Sequence, residues 1–124
     1  MAFTTYVTST VTQGTFTITN TDAYTTDQVS KVQETVPTGT TNAELSFTID
    51  ISKLKAFSMQ ASQVMTVKTN SSGTPQETFA LTAGTPIVFV EGGAAIFSGD
   101  VTSLFVTNAS GSAGTLSILS ATEN

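Results

Sequence analysis

The chain has 124 residues, no Cys, no His and no Arg, and its nine acidic residues and four Lys give a formal charge of −5. That length makes one domain, 1–124, able to bury about two thirds of the surface its unfolded form exposes. The missing residue types exclude disulfides, thiolate metal sites, His-based catalysis and bidentate guanidinium contacts to bases, and four scattered Lys make no phosphate-neutralising stripe. Charged residues are only 10 % of the chain, while Ser and Thr supply about a third. Hydroxyls are cheaper to remove from water than full charges, so this polar surface suits coverage by other protein. Neither nucleic acid nor membrane is expected as a partner. No run is long enough to span a bilayer, and MAFTTYVTST lacks the basic start and apolar middle of a signal peptide, so synthesis in a cytoplasm is expected.

In chain order, Phe3, Val7 and Val11 alternate with Thr and Ser, and Phe16 and Ile18 repeat the pattern beyond Gln13-Gly14. Residues 2–20 therefore read as a Thr-rich hairpin. Asp22 and Asp27 flank a predicted Tyr-Thr turn. Residues 28–36 read as a strand with Ser30, Val32, Glu34 and Val36 on one parity, stopped by Pro37 and Gly39. ELSFTIDI places Leu45, Phe47, Ile49 and Ile51 on one face. SKLKAFSMQASQVMTVKTN admits a short helix and a strand, or two strands linked at Ala61 to Gln63; strands are expected, with Phe57 and Met59 on one face and Met65 and Val67 on one face. After the Asn70 to Pro75 turn cluster come predicted strands ETFALT, PIVFV and AAIF, and SLFVT with TLSIL reads as a closing hairpin.

Roughly ten short strands with turn signals between them indicate an all-β fold, an antiparallel β-sandwich. Strand order leaves no trace in periodicity, so a jelly roll and another sandwich read alike; a jelly-roll-like arrangement is the expectation. Within the single domain, 1–43 is expected as a Thr-rich arm or set of edge strands and 44–124 as the core sandwich.

Reactive patterns are sparse. Ser52 and Lys55 form an S-x-x-K and Lys68-Thr69-Asn70 echoes K-T-G, but that chemistry needs the Ser at a helix start inside a larger α/β frame. Glu91 and Asp100 flank a glycine loop and are the best candidate Ca²⁺ carboxylates, against a plain role as turn acids. Gly92-Gly93 opens no helix, so it is no phosphate cradle. Asn70-Ser71-Ser72 and Asn108-Ala109-Ser110 satisfy the glycosylation sequon and read as turn residues. Tyr6 and Tyr24 could stack on a sugar. No catalytic residue, metal ligand or cofactor is expected.

Two segments, DISKLKAFSMQASQVMTVKTNSSGTPQETFALTAGTPIVFVEGG and FSGDVTSLFVTNASGSAGTLSIL, resemble small virion-associated structural proteins of tailed bacteriophages over about residues 49–119. The shared features are a strand running into a Ser-Lys-Leu turn, an Asn-rich turn before Leu-x-x-Gly-x-Pro, and a D-V-T-x-L-x-V-T-N strand. The resemblance implies a non-enzymatic capsid decoration or head-stabilising protein located in the virion, with the major capsid protein or another virion protein as partner. A homotrimer is expected, and alternating Thr with few charges to block edge pairing makes the N-terminal arm the expected assembly element. Its candidate contacts are Phe3, Tyr6, Val7, Val11, Phe16 and Ile18. The alternative is a carbohydrate-binding β-sandwich module of a phage tail or fibre, with Tyr6, Tyr24 and loop Asn residues as contacts.

Overall fold

The computed structural model describes residues 2–123. It contains ten strands: β1 (Phe3–Gln13), β2 (Phe16–Thr26), β3 (Gln28–Val36), β4 (Thr40–Ile49), β5 (Leu54–Ala61), β6 (Met65–Thr69), β7 (Thr78–Leu81), β8 (Ile87–Val90), β9 (Val101–Asn108) and β10 (Gly114–Thr122). A single 3₁₀ turn, Ile51–Lys53, separates β4 from β5. β1 and β2 form a two-stranded ribbon, and the other eight strands make two four-stranded sheets in the orders β3-β10-β5-β8 and β4-β9-β6-β7. All pairings within these sheets are antiparallel. The eight-stranded order, with the last strand between the first and third and the seventh between the second and fourth, is a jelly roll.

Period-two alternation builds the core. Phe47 and Ile49 of β4, Phe57 and Met59 of β5, Met65 and Val67 of β6, Leu104 and Val106 of β9, and Leu116 and Ile118 of β10 are all buried between the sheets. Each such side chain contributes about 1.5–3 kcal/mol by leaving water. β3 stops at Pro37, which has no N–H to donate. Gly39, at φ 81°, then turns the chain into β4 and donates its N–H to the Asn108 carbonyl at 2.9 Å.

Three expectations are corrected. β9 and β10 are not a hairpin: β9 pairs with β4 and β6 in one sheet and β10 with β3 and β5 in the other. Residues 109–113 arch between sheets, and alternation alone does not separate an arch from a hairpin. AAIF is not a strand; Phe97 instead projects from a loop to meet Phe57 and Phe79 edge-on at ring-centroid distances of 5.0 and 5.7 Å. The expected turn at Tyr24-Thr25 is strand, because β2 stays in register with β1 as far as Thr26. The ribbon ends at Thr26, and β3 and β4 are edge strands of the two core sheets.

Candidate assembly surface

The ribbon is built by a two-residue turn. Gly14 has φ +60° and Thr15 is not among the non-glycine residues with positive φ, which is the backbone signature of a type II′ turn, favoured in hairpins because its twist matches the strands. The turn sets the register Gln13↔Phe16 and thence every pair down to Phe3↔Thr26.

That register sorts the ribbon into two unlike faces. On one, Thr8, Thr10 and Thr12 stand opposite Thr21, Thr19 and Thr17, and their hydroxyls pair across the strands at 3.0, 3.4 and 3.1 Å. On the other lie Phe3, Thr5, Val7, Phe16, Ile18 and Tyr24. Of the six expected contacts, Phe3, Val7, Phe16 and Ile18 share this apolar face. Tyr6 is opposite Ala23 on the threonine face, because it is the one even-numbered residue among the three bulky ones of β1 that the structure describes. Val11 holds the register position facing Ile18, and its side chain lies outside the described residues, as does that of Asp22. Tyr24 was not expected on this face, although the turn's register places it there.

The base of the apolar face rests on the molecule's own sandwich. Thr5, Val7 and Tyr24 are half-buried and Thr26 is buried. Ala56 and Ala121 pair across β5 and β10 on the outward parity, and both are buried, as expected where β2 contacts β5 and β10. Phe3 to Tyr6 border Val29 and Lys31 of β3. Thr5 to Thr8 border Pro86 and Val88 at β8, across a gap of about 290 Å³. The ribbon therefore crosses the outer face of the β3-β10-β5-β8 sheet toward the β8 edge. Beyond it, Phe16 is 69 % and Ile18 59 % exposed.

A second apolar opening lies at the other edge, where β3 and β4 flank the gap between the sheets. Val36, Leu45, Val106 and Leu116 line a cleft of about 400 Å³ whose rim includes Ala43, Glu34 and Glu44.

The groups that the sequence offered for chemistry are engaged in structural contacts. Ser52 donates its hydroxyl to Asp50 Oδ1 at 2.6 Å, and Lys55 pairs with Glu91, so the two residues of the S-x-x-K motif face different partners. The Ser52 hydroxyl, then the Ser52 N–H and the Lys53 charge, hold the Asp50 carboxyl below its ordinary range. The hydrogen bond to Glu91 raises Lys55 above its ordinary value. Glu91 and Asp100 have different partners: Glu91 pairs with Lys55, and Asp100 Oδ1 accepts from the Ile51 N–H at 3.0 Å. Among the described residues no group of three or more acidic side chains is placed to hold a metal ion. Both sequon asparagines do structural work. Asn70, at φ 67°, donates to the Asp100 carbonyl and accepts from the Thr102 N–H. Asn108 is fully buried. Tyr6 and Tyr24 lie on opposite ribbon faces and form no common stacking platform.

The fold and surface thus define an N-terminally extended jelly roll with an overhanging apolar ribbon. No protein-family model matches the chain, and no curated protein matches it. A solved chain from the Bacillus endospore appendages, described as a novel family of disulfide-linked pili, is similar at 16 % identity over 78 % of this chain and 88 % of its own, with a TM-score of 0.42.

Proposed function

We propose that this protein is a non-enzymatic structural subunit of a virion, a capsid decoration or head-stabilising protein that fastens through its N-terminal ribbon. The observation that carries the reading is the ribbon itself: an isolated two-stranded sheet is marginal in water, yet this one holds Phe16 and Ile18 in the open. Large apolar residues kept exposed together on such an extension mark a contact surface awaiting a partner. The likeness of residues 49–119 to phage virion proteins supports placing that partner in a tailed-phage particle. The jelly roll is then a compact block, and its low-charge, hydroxyl-rich surface is one that neighbours cover at small desolvation cost.

The test is co-sedimentation of the purified protein with particles of a tailed phage that carries its gene. Wild type is expected in the particle fraction, with binding reduced at least tenfold in the Phe16→Ser/Ile18→Ser variant. Wild type left wholly in the supernatant would overturn the reading.

A further inference from the structure

The ribbon tip and the β3–β4 cleft sit at opposite edges of the molecule. The ribbon overhangs at the β8 edge, and the cleft lies between β3 and β4 at the other edge. We propose that the ribbon tip of one copy, Phe16 and Ile18, seats in the β3–β4 cleft of a second copy of this chain, so that copies join head to tail. This deepens the reading above by naming the tip's partner, and it rests on that reading only in taking the tip as a fastening surface.

Three features bear on a second copy as the occupant; the first selects it and the other two permit it. The first is placement. A tip held beyond β8 by a base resting on Ala56 and Ala121 cannot reach the cleft of its own sandwich, whereas a neighbour set beside it presents that cleft directly. The second is charge. The molecule carries a net −5, so copies repel one another over most of their surfaces. Residues 8–21 contain no charged side chain, which lets the ribbon pass between Glu34 and Glu44 without like-charge repulsion. The third is chemistry along the length. Val36, Leu45, Val106 and Leu116 offer an apolar floor for one ribbon face, while the threonine face supplies hydroxyls that can donate to the rim carboxylates. A stable interface needs about 1,200–2,000 Å² in total, more than two side chains provide, so the distal ribbon lies lengthwise against β3 and β4.

The contact uses different patches on its two sides and is heterologous, generating a closed ring where the rotation closes and an open filament where it does not. Closure after three copies gives the trimer anticipated from the sequence.

Mass by light scattering after size exclusion tests this with two variants at exposed positions, each first checked for wild-type circular dichroism. Phe16→Ser/Ile18→Ser lacks the tip and keeps the cleft; Ala43→Arg obstructs the cleft and keeps the tip. Wild type is expected to oligomerise and each variant alone to run at 12.8 kDa. Mixed, they are expected to form one-to-one pairs of twice that mass and nothing larger, because only one productive contact remains. Mixtures that stay monomeric, an Ala43→Arg variant that oligomerises like wild type, or a wild type that stays monomeric up to millimolar concentration would each overturn the inference. In the last case, co-sedimentation with particles would still hold if the tip's partner were another virion protein, so the two proposals fail separately.

Discussion

The Asn108 side chain donates to the Val36 carbonyl at 2.9 Å, joining the end of β9 in one sheet to the end of β3 in the other. The same amide donates to the Ser112 carbonyl, and its oxygen accepts from the N–H and hydroxyl of Ser110. A fully buried side chain thus has all four of its hydrogen-bonding sites occupied, and it shapes the arch that carries the chain from β9 to β10.

Replacing Asn108 therefore removes more than one bond. Asn108→Ala is expected to cost about 2–3 kcal/mol, because the Val36 and Ser112 carbonyls lose a buried donor. Asn108→Asp is expected to cost more, since it turns an uncompensated charge toward two carbonyl oxygens. Urea unfolding measures both, and a loss under 1 kcal/mol for either would show the arch to be held elsewhere.

Phe97 ties a strandless loop to both sheets through its edge-on contacts with Phe57 and Phe79. Phe97→Ala is expected to destabilise by about 3–5 kcal/mol, the usual range for emptying an aromatic site. Phe97→Leu, which keeps most of the volume, should recover most of the loss. Equal losses for the two would argue against packing as the cause.

Asp50 titrates below its ordinary value of 3.8 because Ser52 donates to it twice and Lys53 lies nearby. A carboxyl with a depressed folded-state pKa contributes stability that is fully present above its unfolded value and is lost as pH falls through the folded value. The stability difference between wild type and Asp50→Asn should accordingly shrink as pH drops below 3.8. Ser52→Ala should move the Asp50 carbon resonance titration upward, and an unchanged midpoint would remove Ser52 as the cause.

Gly14 holds φ +60° at the ribbon turn with nothing near its missing Cβ, so a substitution there strains the backbone without any clash. Gly14→Val is expected to loosen the ribbon by about 1–2 kcal/mol. Amide exchange should rise about tenfold in β1 and β2 and stay unchanged in the sandwich. A matching rise in β5 and β10 would mean that the ribbon and sandwich open as one unit.

Much of this architecture was legible because alternation reports which face of a strand is buried. The strand expected over 28–36 is β3, and the break expected at Ala61 to Gln63 separates β5 from β6. Pairing partners left no comparable mark: SLFVT and TLSIL alternate equally well whether they face each other or lie in different sheets. AAIF looked like a strand because apolar density alone does not distinguish an edge from a plug. The even number of Tyr6 already separates it from Phe3 and Val7, whose parity puts them on the other ribbon face. The cleft had no sequence signal, since Val36, Leu45, Val106 and Leu116 come from four strands and meet only after both sheets form.

The position of β10 also sets a schedule. This strand, the last in chain order, lies between β3 and β5, so its sheet has no centre until residues 114–122 have left the ribosome. β3 and β5 must wait with unpaired flanks while some fifty intervening residues are made, and closure then depends on contacts distant in sequence, which form slowly. Within that interval the β4-β9-β6-β7 sheet can close first, since its last strand ends at Asn108.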